Sequence, residues 1–371
     1  MKILAVHAGG FPRIGDTREQ QRLRVAQESL DRGDIPEEQF WDVQNDMVRE
    51  ALSVQSRAGL DLVSDGQIRW ADPVSHIMGK LEGVRLGGLA RYFDTNTYFR
   101  RPQIIGALSA KGPLTSEEFR FARAISPRPV TATLTGPFTL SRLCLPGGPY
   151  RGVNELLDAL TPILAGEVGK LAASGAGDII IDEHFLGREP NALPRLADAL
   201  EVLGGAKGSA RLWLRLSFGD YAPLYGELQK LAIDGLILDF TCSARLADMV
   251  ASSGSDLALG LGLVDARNTR LENPLKTARE AARLMKKVRA SGCWLVASNG
   301  VDFLPRHRAV EKLALLARMR DFLTGKDRKP GKARKKTGRK KALRRTKPGK
   351  KGRRTRKAVR PRRTNHRKRR S

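Results

Sequence analysis

The stretch DIIIDEHFLG, residues 178–187, runs three isoleucines directly into Asp182, Glu183 and His184. Two acids and an imidazole at the end of so water-averse a segment could bind or turn over a small polar molecule. A helix N-cap followed by a first-turn acid would explain the same two carboxylates on structural grounds. The pattern recurs, however. Other short apolar runs close on His7, Asp65, Thr135, Ser217, Asp239, Asp265 and Asn299. One polar group at such an end is unremarkable, but eight gathered on one rim would make a polar pocket.

The elements that would have to gather them are readable. Apolar runs lie at 2–10, 60–66, 129–136, 178–183, 211–219, 235–240, 257–265 and 293–300, and amphipathic patterns at 40–59, 155–175 and 273–292 lie between them. The last two patterns end in glycine, the usual residue after a helix C-terminus. Nearly all-apolar strands alternating with helices predict a parallel sheet covered on both faces. Eight such units predict a (β/α)₈ TIM barrel, whose sites stand at the C-terminal strand ends. A doubly wound open sheet is the alternative, and no GxGxxG follows the first strand to support it. The fold places a small-molecule site without naming a reaction.

Charge divides the chain. Of its net +28, +25 falls in residues 326–371, where 26 Lys or Arg meet one acid, Asp327, leaving +3 for residues 1–325. The expected organisation is a barrel over 1–325 and a disordered basic tail over 326–371. The tail has no Phe, Trp or Tyr with which to build a core. Dense positive charge there predicts non-specific contact with nucleic acid or another polyanion; a solvated extension without a partner is the bland alternative. Cys144, Cys242 and Cys293 form no CxxC pair and read as buried small hydrophobes in a reducing cytoplasm. The N-terminus MKILAVHAGGFPR is too short in apolar residues for a signal peptide, and no run is long enough to span a bilayer. A cytoplasmic protein is expected.

Seven segments in order, GFPRIG (10–15), SDGQIRW (64–70), FDTNTYFRRP (93–102), LTGPFTL (134–140), IIIDEHFL (179–186), GLVDARNTRLENP (262–274) and NGVDFLPRHRAVEKL (299–313), resemble the cobalamin-independent methionine synthase family. Its barrels relate to those of the uroporphyrinogen decarboxylase type. The resemblance implies methyl transfer from a folate-type donor to homocysteine or a related thiol, with zinc lowering the thiol pKa. It also implies that Asp182 and Glu183 lie where carboxylates hold the amino-acid ammonium. GFPRIG, FDTN and DARN look closer to the family's metal-free N-terminal barrel. The positions of the family's metal ligands fall on Arg215, Ser217, Asp239 and Asn299, and its proton-donating His falls on Arg267. No zinc or other cofactor is therefore expected, since only Asp239 is a good ligand type.

The candidate catalytic residues are Asp182, Glu183, Arg215 and Arg267. Candidate substrate-binding residues are His7, Arg13, Asp65, Gln67, Trp70, Asn96, Arg101, Ser217, Asp239, Asp265 and Asn299. Asp65 would orient a pterin or an arginine, against a turn-forming Asp-Gly, and Trp70 would stack on a flat ring or pack. His7 would donate into the pocket or cap its strand. Asn96 and Arg101 belong to a polar, aromatic loop long enough to cover the mouth. Two other functions stay open: a metal-independent lyase or decarboxylase, and a non-catalytic folate- or amino-acid-binding protein with a nucleic-acid-binding tail.

Overall fold

Segments such as DIIID and GLILD bury every residue, because both faces of a strand in a helix-covered parallel sheet are turned to apolar neighbours. In the computed structural model, which describes residues 1–326, the strands are β1 (Lys2–Ala5), β2 (Leu81–Arg91), β3 (Tyr98–Ala110), β4 (Ala132–Thr135), β5 (Asp178–Asp182), β6 (Arg211–Leu216), β7 (Gly235–Asp239), β8 (Ala258–Val264) and β9 (Gly292–Ala297). The expectations for the tail fall, apart from Lys326, outside the described residues. Seven strands make one parallel sheet in the order β1-β9-β8-β7-β6-β5-β4.

The run at 60–66, expected as a full strand, is reduced to two parallel bridges, Val6 with Leu62 and Val63 with Val130. These join β1 to β4 and close the eight-position TIM barrel. The segment is short because Gly66 and Gln67 take positive φ, +72° and +50°, and turn the chain out of the extended form just beyond Val63. Inside the ring, Val6, Leu62, Ile180, Ile237 and Val296 surround Trp213 and Trp294, whose rings stack 3.7 Å apart.

Helices Glu37–Arg57 and Val153–Ala173 match the amphipathic patterns, and Gly175 follows the second at φ +83°. The third helix corrects the expectation. It ends at Met285, and Gly292 begins β9 instead of closing the helix. Beyond it Val288 forms an isolated parallel bridge with Ser255. A second correction concerns the loop expected at 93–102. It is part of an antiparallel hairpin, β2 with β3, with register shifts between Glu82 and Val84 and between Leu86 and Leu89. Its turn, Tyr92–Thr97, lies at the barrel mouth, where Tyr92 and Phe93 pack on Phe218. Among the described residues no helix is long and apolar enough to cross a membrane.

Candidate active site at the barrel mouth

Register brings the floor together. Asp182 ends β5 beside Arg215 on β6. Both side chains are buried. Arg215 Nε donates to Asp182 Oδ1 at 2.6 Å and a terminal nitrogen to Oδ2 at 2.5 Å, a bidentate pair. The other terminal nitrogen donates to the Ala8 carbonyl at 2.5 Å. The guanidinium reaches across the mouth only because Gly9 is glycine. Its φ is +97°, and a Cβ there would stand 2.8 Å from Arg215. At the next position a Cβ on Gly10 would strike Asp302.

Glu183 faces elsewhere. It accepts from the backbone N–H of Phe138 at 2.9 Å and of Thr139 at 2.6 Å, so it caps the helix Pro137–Leu143. Gly136 leaves room for its carboxylate. Burial pushes Glu183 up to about 7 despite these donors. The structural reading of the acid pair thus applies to Glu183, though the helix it caps follows β4. His184 is buried, with Nε2 4.0 Å from Asp182 Oδ2 and Nδ1 without a hydrogen-bond partner.

Aromatic side chains roof this floor. Phe93 and Phe218 stack at 5.0 Å, and both hold positive φ, +47° and +64°. Such backbone is costly for a residue with a Cβ and concentrates at functional sites. His184 meets both rings edge-on, at 6.0 and 5.1 Å. Phe218 also meets the Arg267 guanidinium, 5.4 Å from its centroid, and Phe303 at 6.2 Å. Arg267, Asp302, Phe303 and the hairpin residues Asp94–Thr97 line a cleft of about 280 Å³. Asp302 is exposed and opens onto that cleft.

The remaining candidates divide clearly. Asn96 lines the cleft. Arg13, Gln67 and Trp70 meet Asp302 in a second, narrow cavity of about 50 Å³. Arg13 donates to the Ile68 carbonyl at 2.9 Å. Trp70 is a packed residue: its ring stacks on His76 at 4.8 Å and its N–H donates to Glu118 at 2.8 Å. Asp65 accepts from the Gln67 N–H at 3.0 Å, an Asp-Gly turn, and burial raises it to about 6. His7 lies 3.0 Å from Gln55 Oε1 and 3.1 Å from the Gly10 carbonyl, which gives it the strand-capping place. Ser217 is fully buried and donates to the Ser298 carbonyl at 2.8 Å. Asp265 accepts from the Arg267 N–H at 2.8 Å, a turn contact. Arg101 stands exposed on β3 and outside the cleft lining.

One cysteine expectation is corrected. Cys144 and Cys293 are buried, but Cys242 is exposed at the rim, 3.2 Å from Asp239 and 3.0 Å from Arg267. It lies in the turn after β7, where Thr241 and Cys242 both contact the Asp239 carboxylate.

A zinc ion finds a poor donor set at the four expected positions. Arg215 brings a positive charge already paired with Asp182, and Ser217 donates to a carbonyl. Asn299 Oδ1 accepts from the Gly300 N–H at 2.7 Å. Asp239 accepts from Thr241 and faces Arg267 at 3.5 Å. A hard, cation-flanked set without an imidazole does not suit a borderline-soft ion. Among the described residues no group of three or more His, Cys, Asp or Glu is placed to hold a metal.

Sequence reasoning did not single out Asp302, Phe93 or Phe218, and it noted the His184 imidazole without giving it a role. Phe218 lies within the expected run 211–219 and Asp302 two residues beyond the run 293–300, and that nearness to the rim was the available signal.

Comparison with known proteins matches residues 8–321 to the family described as "Cobalamin-independent synthase, Catalytic domain". The chain is 27% identical over 307 residues to a methionine synthase of Sulfurisphaera tokodaii, covering 82% of this chain and 88% of that protein. It is 26% identical to a methionine synthase of Saccharolobus solfataricus, covering 82% and 90%. Its fold is similar to a B12-independent methionine synthase from Shewanella sp. W3-18-1 in complex with selenomethionine, with TM-score 0.72, 19% identity, and coverage of 88% of this chain and 99% of that one.

Proposed function

The chain belongs to the cobalamin-independent methionine synthase family, and from that premise we propose that it transfers a methyl group from a folate-type donor to the thiol of an amino acid such as homocysteine. The observation that carries the reading is the cleft that places Asp302 and Arg267, opposite charges, in one lining of about 280 Å³. A zwitterion answers that pattern, its ammonium to Asp302 and its carboxylate to Arg267. Asn96 and Phe303 give the same cleft a polar and a flat apolar contact for the donor. Arg215, held by Asp182 at the end of β5, carries a fixed charge that favours a thiolate over a thiol. The chemistry is read as zinc-free, from the donor set described above. The three unpaired cysteines support a cytoplasmic protein. The Lys/Arg-rich tail is read as a polyanion contact.

Calorimetry tests the cleft. The parent should bind homocysteine, and both 4-mercaptobutyrate, which lacks the ammonium, and 3-aminopropanethiol, which lacks the carboxylate, should bind more weakly. Asp302→Asn should weaken homocysteine by roughly 10- to 100-fold, the worth of one charged hydrogen bond of about 1.5–3 kcal/mol. Equal binding of all three thiols would show that the cleft does not read an amino acid.

A further inference from the structure

Lys312, on the helix Arg306–Thr324, is a lysine with no exposed surface. Ala309 and Leu316, three residues before it and four after on the same helix face, are buried core residues. An ammonium in such a place costs stability unless it is paired and hydrogen-bonded. Both of its partners lie on one loop. Nζ donates to the Asp265 carbonyl at 2.6 Å and to Glu272 Oε1 at 3.0 Å. A leucine would fill the same apolar face without that cost; what the ammonium adds is the tie.

The tied loop carries Arg267. It runs from the end of β8 to Asn273, which caps the helix Pro274–Met285 by accepting from the Leu275 and Lys276 N–H groups. Glu272 Oε1 also accepts from the Asp265 N–H at 2.9 Å and closes the loop on itself. Lys312 thus grips both ends, through one carbonyl and one carboxylate. Within the loop the Arg267 N–H donates to Asp265 Oδ1 at 2.8 Å. The Arg267 guanidinium then reaches Cys242 Sγ at 3.0 Å and Asp239 at 3.5 Å.

The same helix frames the other charge of the cleft. Asp302 belongs to the turn Val301–Phe303, just before Arg306 opens the helix. Asp302 and Arg267 both line the cleft. One charge is therefore joined to this helix through the chain and the other through the Lys312 ammonium. Groups that must meet one small ligand together depend on such support behind them.

We propose that Lys312 is a positioning residue for amino-acid recognition. By holding Asp265 and Glu272 against the helix Arg306–Thr324, it keeps Arg267 in register with Asp302, so that one α-amino acid meets both. The inference rests on the reading above in which Arg267 takes the substrate carboxylate. Lys312 does not line the cleft and acts only through Arg267.

The test compares, by calorimetry on the full chain, the affinities for homocysteine and for 3-aminopropanethiol, which lacks the carboxylate. The parent should favour homocysteine by roughly 10- to 100-fold, the worth of one charged hydrogen bond. Lys312→Met fills the buried space without an ammonium. It should bring the ratio close to one by weakening homocysteine alone, as Arg267→Ala should. The double variant, Lys312→Met with Glu272→Gln, strands no carboxylate; it should lose the preference likewise and carries the test if the single variant does not fold. A variant that melts lower but keeps the parental ratio, or that binds both thiols more weakly by the same factor, would overturn the proposal and leave Lys312 a purely structural residue. A parent without preference for homocysteine would instead remove the reading of Arg267 as the carboxylate's partner, and the positioning role with it.

Discussion

Replacing Asp182 or Arg215 alone should damage the fold more than replacing both. The two side chains are 7% and 3% exposed and share two charge-assisted hydrogen bonds at 2.6 and 2.5 Å. In Asp182→Asn the guanidinium keeps the Ala8 carbonyl but loses its counter-charge. Arg215→Met leaves a buried carboxylate with His184 4.0 Å away as its nearest cationic candidate. Each single change should therefore cost about 3–5 kcal/mol, the cost of stranding a buried charge. That is a large share of a total stability of about 5–15 kcal/mol. The double variant, Asp182→Asn with Arg215→Met, strands no charge. What remains is the Ala8 carbonyl without its donor, about 1–3 kcal/mol. The cycle should thus show a coupling of at least about 3 kcal/mol. Urea unfolding followed by fluorescence of the four tryptophans, two of which stack inside the barrel, gives each corner. Single costs below about 1 kcal/mol, or additivity within about 0.5 kcal/mol, would mean that the two side chains are not a coupled buried pair.

Two further outcomes follow from the same physics. Glu183 is raised from 4.5 to about 7 by burial, so the native state holds its proton more tightly than the unfolded chain. Stability should be greatest below pH 4.5 and fall as pH rises to about 7, by an amount of order 3 kcal/mol for this group; Glu183→Gln should flatten that slope in unfolding measured between pH 4.5 and 8, and an unchanged slope would reassign it. Removing residues 326–371 should remove most DNA binding at low salt without moving the melting temperature, whereas binding that persists in the truncated chain would place the polyanion contact on the body.

The barrel was legible because its strands are buried on both faces. Runs such as DIIID and GLILD carry that signal in composition alone, and their ends locate the rim. The hairpin was not legible. LEGVRLGGLAR mixes glycine and arginine through its length, and its register shifts break the two-residue alternation a strand reading depends on. The candidate site was visible as positions and obscure as partners. Asp182 and Arg215 meet through the register of β5 with β6, and Glu183 reaches a helix that begins 46 residues earlier in the chain, at Pro137. The same limitation hid the aromatic roof. Phe93 and Phe218 take backbone conformations usually left to glycine, and their rings stack across two segments far apart in the chain.

Methyl transfer to an amino-acid thiol without zinc is the property on which the function turns. It is tested most directly by methionine formation from homocysteine and 5-methyltetrahydrofolate in protein freed of metal and assayed under excess chelator, with zinc content measured on the same sample. Zinc-free chemistry gives methionine at the same rate with and without chelator, at a zinc content far below one per chain. Turnover that appears only as zinc approaches one per chain, and is lost in Asp239→Ala, would contradict it.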